Sequence, residues 1–286
     1  MKYKNYVIII IFAIIIIILV NYLFLYKDKL LKNAHQYSLQ KDGFCLYKNI
    51  LDNYQINLLK KLSYDNNYKK IKEIILNNKK IIMLKDKVIN KDYIFQDYIY
   101  IIKKSSVHTC HRDNNGDFFN KNQKYPSYTM IIYLEDMEKC LGVIPKSHIN
   151  YYSNSINIFD NLQNIICNKS DIIIFNANLI HVGTMNKKDD NLRIQLKITH
   201  KDDIINIPYF QNYNKILNQD NKIPKSIRKA QKRITCAFPI LSNFTQKNII
   251  KSSRGSDNGA NISLSQKIYS YLISGNSNFY DLPNAF

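Results

Sequence analysis

Tryptophan is absent, glycine and proline number only seven and six in 286 residues, and the only glutamates are Glu73, Glu135 and Glu138. Lysine, asparagine, isoleucine and tyrosine fill the space instead, a bias expected of an AT-rich coding sequence such as those of some large viruses or protists. That bias argues against reading the +19 net charge as a nucleic-acid or anionic-membrane patch, because the lysines are scattered rather than clustered. No internal repeat is present, which excludes a stacked-repeat architecture. The five cysteines, at 45, 110, 140, 167 and 236, are odd in number and lack paired or zinc-like spacing. They read as buried thiols in a reducing environment, with a lumenal domain left open.

One long apolar run is there. Val7 to Val20 is unbroken, and Tyr6 to Tyr26 is long enough to cross a bilayer core at the helical rise per residue. Residues 1–30 are therefore expected to be a retained membrane anchor, a cleaved signal peptide being the alternative. Lys2 and Lys4 against Lys27, Lys29 and Lys32 leave its orientation open. Residues 31–92 are expected to be a helical flank, with Leu51, Leu58, Leu59 and Leu62 forming one apolar stripe. Runs of β-branched and aromatic residues between polar clusters give 93–203 an all-β pattern. Residues 204–286 form a partly helical extension. It holds a basic helix around Ile223 to Ile234, read as solvated or touching lipid headgroups, and a flexible linker at Ser252 to Gly259.

The chemistry concentrates in the β region. Val107 to Asp113 reads as a strand, and side chains two apart on a strand share a face, so His111 and Asp113 can meet one ion. His181, just after the apolar run Ile172 to Phe175, supplies a third donor. Two histidines and one carboxylate leave three coordination positions open and suit non-haem Fe(II). Further on, Asn191 to Thr199 alternates, putting Arg193, twelve residues after His181, on one side with Gln195 and Lys197. A guanidinium there can pair bidentately with a carboxylate. His108 and Cys110 face away from His111, and His35 and His200 have no evident partner.

With His111-Arg-Asp113, Leu141-Gly-Val-Ile-Pro-Lys-Ser-His148, Ser170-Asp-Ile-Ile-Ile-Phe175, Leu179-Ile-His181 and Arg193 in that order, the chain resembles the Fe(II)/2-oxoglutarate-dependent dioxygenases. It is most similar to their phytanoyl-CoA hydroxylase-like branch, whose "IPGSH" signature here has Lys146 for its glycine. Ser170 likewise stands where the family usually has glycine, and Gln195 where it often has serine. Thr129 to Asp136 also resembles the prolyl 4-hydroxylase-like branch, which usually carries lysine rather than arginine on the last strand. The resemblance implies a mainly β protein with flanking helices, a double-stranded β-helix (jelly roll) joined to the transmembrane helix. It implies iron on His111, Asp113 and His181, and 2-oxoglutarate on Arg193, with Thr129 touching the cosubstrate. Ascorbate is implied as an accessory reductant. The implied reaction is hydroxylation of an unactivated C–H bond on a small-molecule, lipid or protein substrate, with 2-oxoglutarate and O2 converted to succinate and CO2. Asp113 argues against halogenation, which needs the carboxylate's position vacant. A catalytically idle jelly-roll scaffold and a cupin-like enzyme using another metal are the competing readings; nucleic acid is not expected as a partner.

Overall fold

The computed structural model describes residues 2–25, 29–104, 108–113, 124–149, 162–186, 191–206, 217–238 and 264–279. The expected linker at Ser252 to Gly259 lies outside them. Helix α1 (Lys2–Val20) ends in a wider π-turn over Asn21–Leu25. Then come β1 (Lys29–Leu31), α2 (Leu39–Asp42) and β2 (Phe44–Tyr47). Three helices follow: α3 (Asn53–Tyr64), α4 (Tyr68–Leu76) and α5 (Lys79–Val88). The strands continue with β3 (Tyr93–Ile102), β4 (Tyr128–Tyr133), β5 (Met137–Val143), β6 (Gln163–Cys167), β7 (Ile172–Asn176), β8 (His181–Gly183) and β9 (Arg193–His200). Helices α6 (Lys225–Ala237) and α7 (Leu264–Ser274) close the order. Helix holds more of these residues than strand, so the chain is mixed α/β, and "mainly β" describes only its central region.

Two sheets face each other, one ordered β2-β7-β4-β9-β3 and the other β1-β6-β5-β8. The neighbours are antiparallel except β1 and β6. Strands β4, β7 and β9 lie in the first sheet and β5, β6 and β8 in the second, so from β4 onward the chain crosses repeatedly between the sheets, as in the Greek-key wiring of a jelly roll. Two departures from the sequence reading matter. β1 begins inside the segment assigned to the anchor, and β2 sits in the flank expected to be helical and pairs with β7.

Strand periodicity explains which face is which. On β4, β7 and β9 the even-numbered Met130, Ile132, Ile172, Ile174, Ile194, Leu196 and Ile198 lie in one buried cluster with Ile56, Leu59, Ile71, Ile75, Ile81 and Leu84 of α3 to α5. Each such fully buried side chain contributes about 1.5–3 kcal/mol. The helices start where their sequence says they should: Asp52 and Gln55 form a reciprocal capping box on α3, and Asn67 and Asn78 cap α4 and α5. Odd-numbered Ile131, Tyr133, Ile173 and Phe175 point instead between the sheets, against Leu141, Val143 and Ile165. Arg193, Gln195 and Lys197 have the same parity on β9, so the chemistry-bearing residues are aimed into the inter-sheet space.

The cysteines correct the sequence reading. Cys110 bonds Cys236 and Cys140 bonds Cys167, at Cα separations of 5.1 and 5.8 Å, and Cys45 alone is free. The pairs are 126 and 27 residues apart, so spacing did not reveal them. The basic helix is corrected as well: in α6, Arg228, Lys232 and Arg233 are buried, whereas Lys225 and Lys229 are exposed. α6 packs against the π-turn that ends the apolar helix and is bonded through Cys236 to the residue before His111.

Candidate metal centre

His111, Asp113 and His181 each offer a donor atom within 4.8 Å of the others. The segment carrying the first two is not the strand expected. Only His111 makes a β-bridge, exchanging 2.9 Å backbone hydrogen bonds in both directions with His181 at the edge of β8. The residues around it spend their bonds elsewhere: the Cys110 N–H donates to Thr235 Oγ1 of α6 (3.0 Å) and the His108 ring meets Gln231 (2.7 Å).

The imidazoles are oriented from behind. His111 Nδ1 lies 2.8 Å from the Thr109 carbonyl and His181 Nδ1 2.9 Å from the Leu179 carbonyl. A carbonyl only accepts, so each Nδ1 carries a proton, and in the neutral ring each Nε2 then presents a lone pair. Burial, with His111 alongside, pulls the His181 pKa down to about 3, so its imidazole is neutral at ordinary pH. Both Nε2 atoms face Asp113 Oδ1 at 3.6 Å. Burial pushes the Asp113 carboxyl up, but the Lys197 ammonium against it outweighs burial and holds the group well below the usual range. Three donor atoms converging in this way could hold a metal ion, and their mix of two nitrogens and one carboxylate oxygen suits Fe(II).

Residues between and around the ligands set this geometry. The Arg112 side chain is fully buried and its Nη1 donates to the carbonyls of Ser147 (2.7 Å) and Asn178. Ser147 Oγ accepts from the Ile180 N–H at 2.8 Å, and the Ile144 N–H donates to the Ile180 carbonyl at 3.0 Å. The Ile-Pro-Lys-Ser-His stretch therefore ties down the residue before His181 and the residue between His111 and Asp113. His148 itself turns away and meets the Gln40 carbonyl at 3.1 Å.

A cleft beside the triad is lined by His111, Asp113 and His181 together with Arg193, Gln195, Phe175 and Leu217. Arg193 is buried, and its one hydrogen bond among the described residues runs from Nη1 to the Asn191 carbonyl (2.8 Å). Tyr133, its register partner on β4, has a buried hydroxyl without a hydrogen-bond partner among those residues. Burial pushes the Tyr133 phenol up, so it remains a donor. Thr129 does not line the cleft: its hydroxyl donates to Asp113 Oδ2 at 3.0 Å. Two participants escaped the sequence reading. Arg112 has no positional signature, and Lys197 was placed on the right face but not opposite Asp113, which only the folded register reveals.

Of the three departures from the resembled pattern, the two that replace glycine sit at positive φ, Lys146 at 66° and Ser170 at 75°. They differ in compensation. The Ser170 hydroxyl donates to the Leu51 carbonyl and accepts from the Leu51 N–H (2.7 Å). Lys146→Gly should therefore stabilise the protein by about 0.5–1 kcal/mol, relief of left-handed strain exceeding the entropy glycine adds to the unfolded chain. Ser170→Gly should destabilise it by about 1 kcal/mol or more, since a buried N–H loses its acceptor. Denaturant midpoints measure both, and equal shifts would refute this account of Ser170.

No family model and no curated protein matches the chain. Among solved structures it is similar to HygX from Streptomyces hygroscopicus with nickel and 2-oxoglutarate bound, at 13% identity and TM-score 0.48 over 60% of this chain and 87% of that one. It is also similar to AviO1 from Streptomyces viridochromogenes Tue57 (13%, TM-score 0.46, 61% of this chain and 97% of that one). A third is the non-heme alpha ketoglutarate dependent epimerase SnoN from nogalamycin biosynthesis (11%, TM-score 0.44, 56% and 77%). At this distance, what the centre does has to be read from its own donors.

Proposed function

We propose that the chain is an Fe(II)/2-oxoglutarate-dependent oxygenase, of the phytanoyl-CoA hydroxylase-like branch, that hydroxylates an unactivated C–H bond. The observation that carries this is the placing of two complementary sites in one cleft: a convergent His-Asp-His donor set beside a buried guanidinium with no carboxylate partner among the described residues. A keto acid with a distal carboxylate satisfies both at once. His111, Asp113 and His181 would hold the iron, which when loaded supplies the oxidising chemistry. Arg193 would take the distal carboxylate, while Ile131 and Phe175 keep water from that end. Thr129 would act through Asp113 rather than on the cosubstrate. A prolyl 4-hydroxylase-like protein hydroxylase is the second reading, favoured by the inward lysine on β9. Lys197 is engaged by Asp113, however, and Arg193 is the cation that lines the cleft. The test is succinate formation, followed by mass spectrometry, when the detergent-solubilised chain is given Fe(II), 2-oxoglutarate and ascorbate. Succinate no higher than in the Asp113→Ala variant would remove the assignment.

The N-terminal helix completes the proposal. Tyr6–Leu23 has a mean hydropathy of 3.1 and none of it is buried, so it is long and apolar enough to cross a membrane. We read it as a retained anchor, with the domain on the oxidising side where Cys110–Cys236 and Cys140–Cys167 persist. Because the π-turn contacts α6 and β1 pairs with β6, the cut that separates anchor from domain falls after Val20. Deleting residues 1–20 should give a soluble protein with its metal site intact, whereas deleting 1–31 should destabilise it through loss of both contacts. Carbonate extraction of membranes holding the full chain, with metal content of the truncations, measures this; release by carbonate would rule out a spanning anchor.

A further inference from the structure

We propose that Lys197 is a positioning residue of the metal centre, its buried ammonium holding Asp113 Oδ2 so that Oδ1 alone is presented to the ion. The inference rests on reading His111, Asp113 and His181 as ligands, and deepens it. A carboxylate has two equivalent oxygens and can bind one ion through either or both. Bound through both, Asp113 would fill two coordination positions, and the centre would lose one of the three positions that a bidentate cosubstrate and O2 require. Something must break the equivalence, and the structure shows what does. Oδ1 lies 3.6 Å from both Nε2 atoms, whereas Oδ2 accepts from Lys197 Nζ and from Thr129 Oγ1 at 3.0 Å. Lys197 Nζ in turn donates to Thr129 Oγ1 at 2.8 Å. The threonine thus accepts from the lysine and donates to the aspartate, which gives the relay a fixed direction.

The fold makes this triangle rigid. Thr129 and Lys197 are register partners on β4 and β9, both side chains point between the sheets, and both are 0% exposed. Lys197 is also absent from the wall of the cleft, where Arg193 and Gln195 stand four and two residues earlier on β9. Its position therefore separates it from the cosubstrate and places it behind the ligand. A buried ammonium needs a carboxylate partner, and Asp113 supplies it before any metal arrives. The centre is consequently preorganised: Asp113 need not rotate when the ion enters.

Anaerobic Co(II) titration of the full-length protein in detergent micelles tests this, reading affinity and ligand-field spectrum rather than turnover. Lys197→Met should weaken Co(II) roughly 10- to 100-fold, the usual effect of removing a group that orients a ligand, and should change the spectrum as Asp113 becomes free to bind through both oxygens. Thr129→Val should move both readouts in the same direction by less. Lys197→Met with a lowered melting temperature but wild-type Co(II) affinity and spectrum would overturn the proposal, leaving Lys197 as a core ion pair. A selective loss of 2-oxoglutarate affinity with unchanged Co(II) behaviour would overturn it too, by moving Lys197 to the cosubstrate. Should Lys197→Met not fold, Thr129→Val decides: an altered spectrum supports the relay and an unaltered one overturns it. His111→Ala is the separate control, because equal Co(II) binding by it and the wild type would sink the metal-site reading itself.

Discussion

Alanine at His111, Asp113 or His181 is expected to abolish stoichiometric iron binding and all coupled turnover, each change alone doing as much as the three together. The geometry gives the reason. The three donor atoms lie within 4.8 Å of one another, and each Nε2 is turned inward because its Nδ1 is committed to a backbone carbonyl. Removing one imidazole leaves a two-donor site that cannot fix the remaining open positions, so the energetic effects of the three do not add. Asp113→Ala should also destabilise the metal-free fold, by about 3–5 kcal/mol, because it strands the buried Lys197 ammonium. His111→Ala and His181→Ala remove no buried charge partner and should melt closer to the wild type. Metal content after anaerobic loading, with melting of the metal-free proteins, measures both parts. Wild-type iron in any two of the three variants would refute the ligand set, and an Asp113→Ala variant as stable as the wild type would refute the buried pair.

How much of this could be read from the chain depends on the range over which each feature is written. The His-x-Asp pair, the later histidine and the arginine were legible because a two-residue spacing, an apolar run and an alternating strand are local patterns. The parity of β9 was legible for the same reason, and put Arg193, Gln195 and Lys197 on one face. What Lys197 touches was not, since Asp113 lies 84 residues away and reaches it only through the pairing of β4 with β9. The segment before Asp113 failed as a strand because its backbone and side chains bond to α6, whose position no local pattern specifies. The disulfides failed likewise: Cys110 and Cys236 belong to the jelly roll and to the C-terminal extension. The Lys146 and Ser170 positions show the converse. A departure from a family's glycine was visible in the sequence, but the positive φ that makes glycine the expected residue was not.

Arg193→Ala is expected to leave iron bound and to weaken 2-oxoglutarate by about 2–5 kcal/mol, the range for truncating one partner of a buried, hydrogen-bonded charge pair. At 1.4 kcal/mol per factor of ten this is about 30- to 4000-fold in affinity. Iron should be spared because Arg193 contacts none of the three ligands; its Nη1 is bonded to the Asn191 carbonyl, which fixes the guanidinium at the start of β9. The effect on the cosubstrate should be large because the guanidinium is buried, a state that lowers its pKa and costs free energy until an anion arrives. Arg193→Lys should recover only part of the loss, since an ammonium supplies the charge without the planar fork that matches a carboxylate. Tyr133→Phe should leave the 2-oxoglutarate midpoint close to the wild type, because the phenol stands beside Arg193 in the β4–β9 register but does not line the cleft. Titrating 2-oxoglutarate into the anaerobic Fe(II)-loaded proteins, followed by the absorbance of the chelate, gives all three midpoints. An unchanged midpoint for Arg193→Ala would remove the guanidinium from the cosubstrate site. A larger loss for Tyr133→Phe than for Arg193→Ala would make the phenol, rather than the guanidinium, the principal anchor of the distal carboxylate.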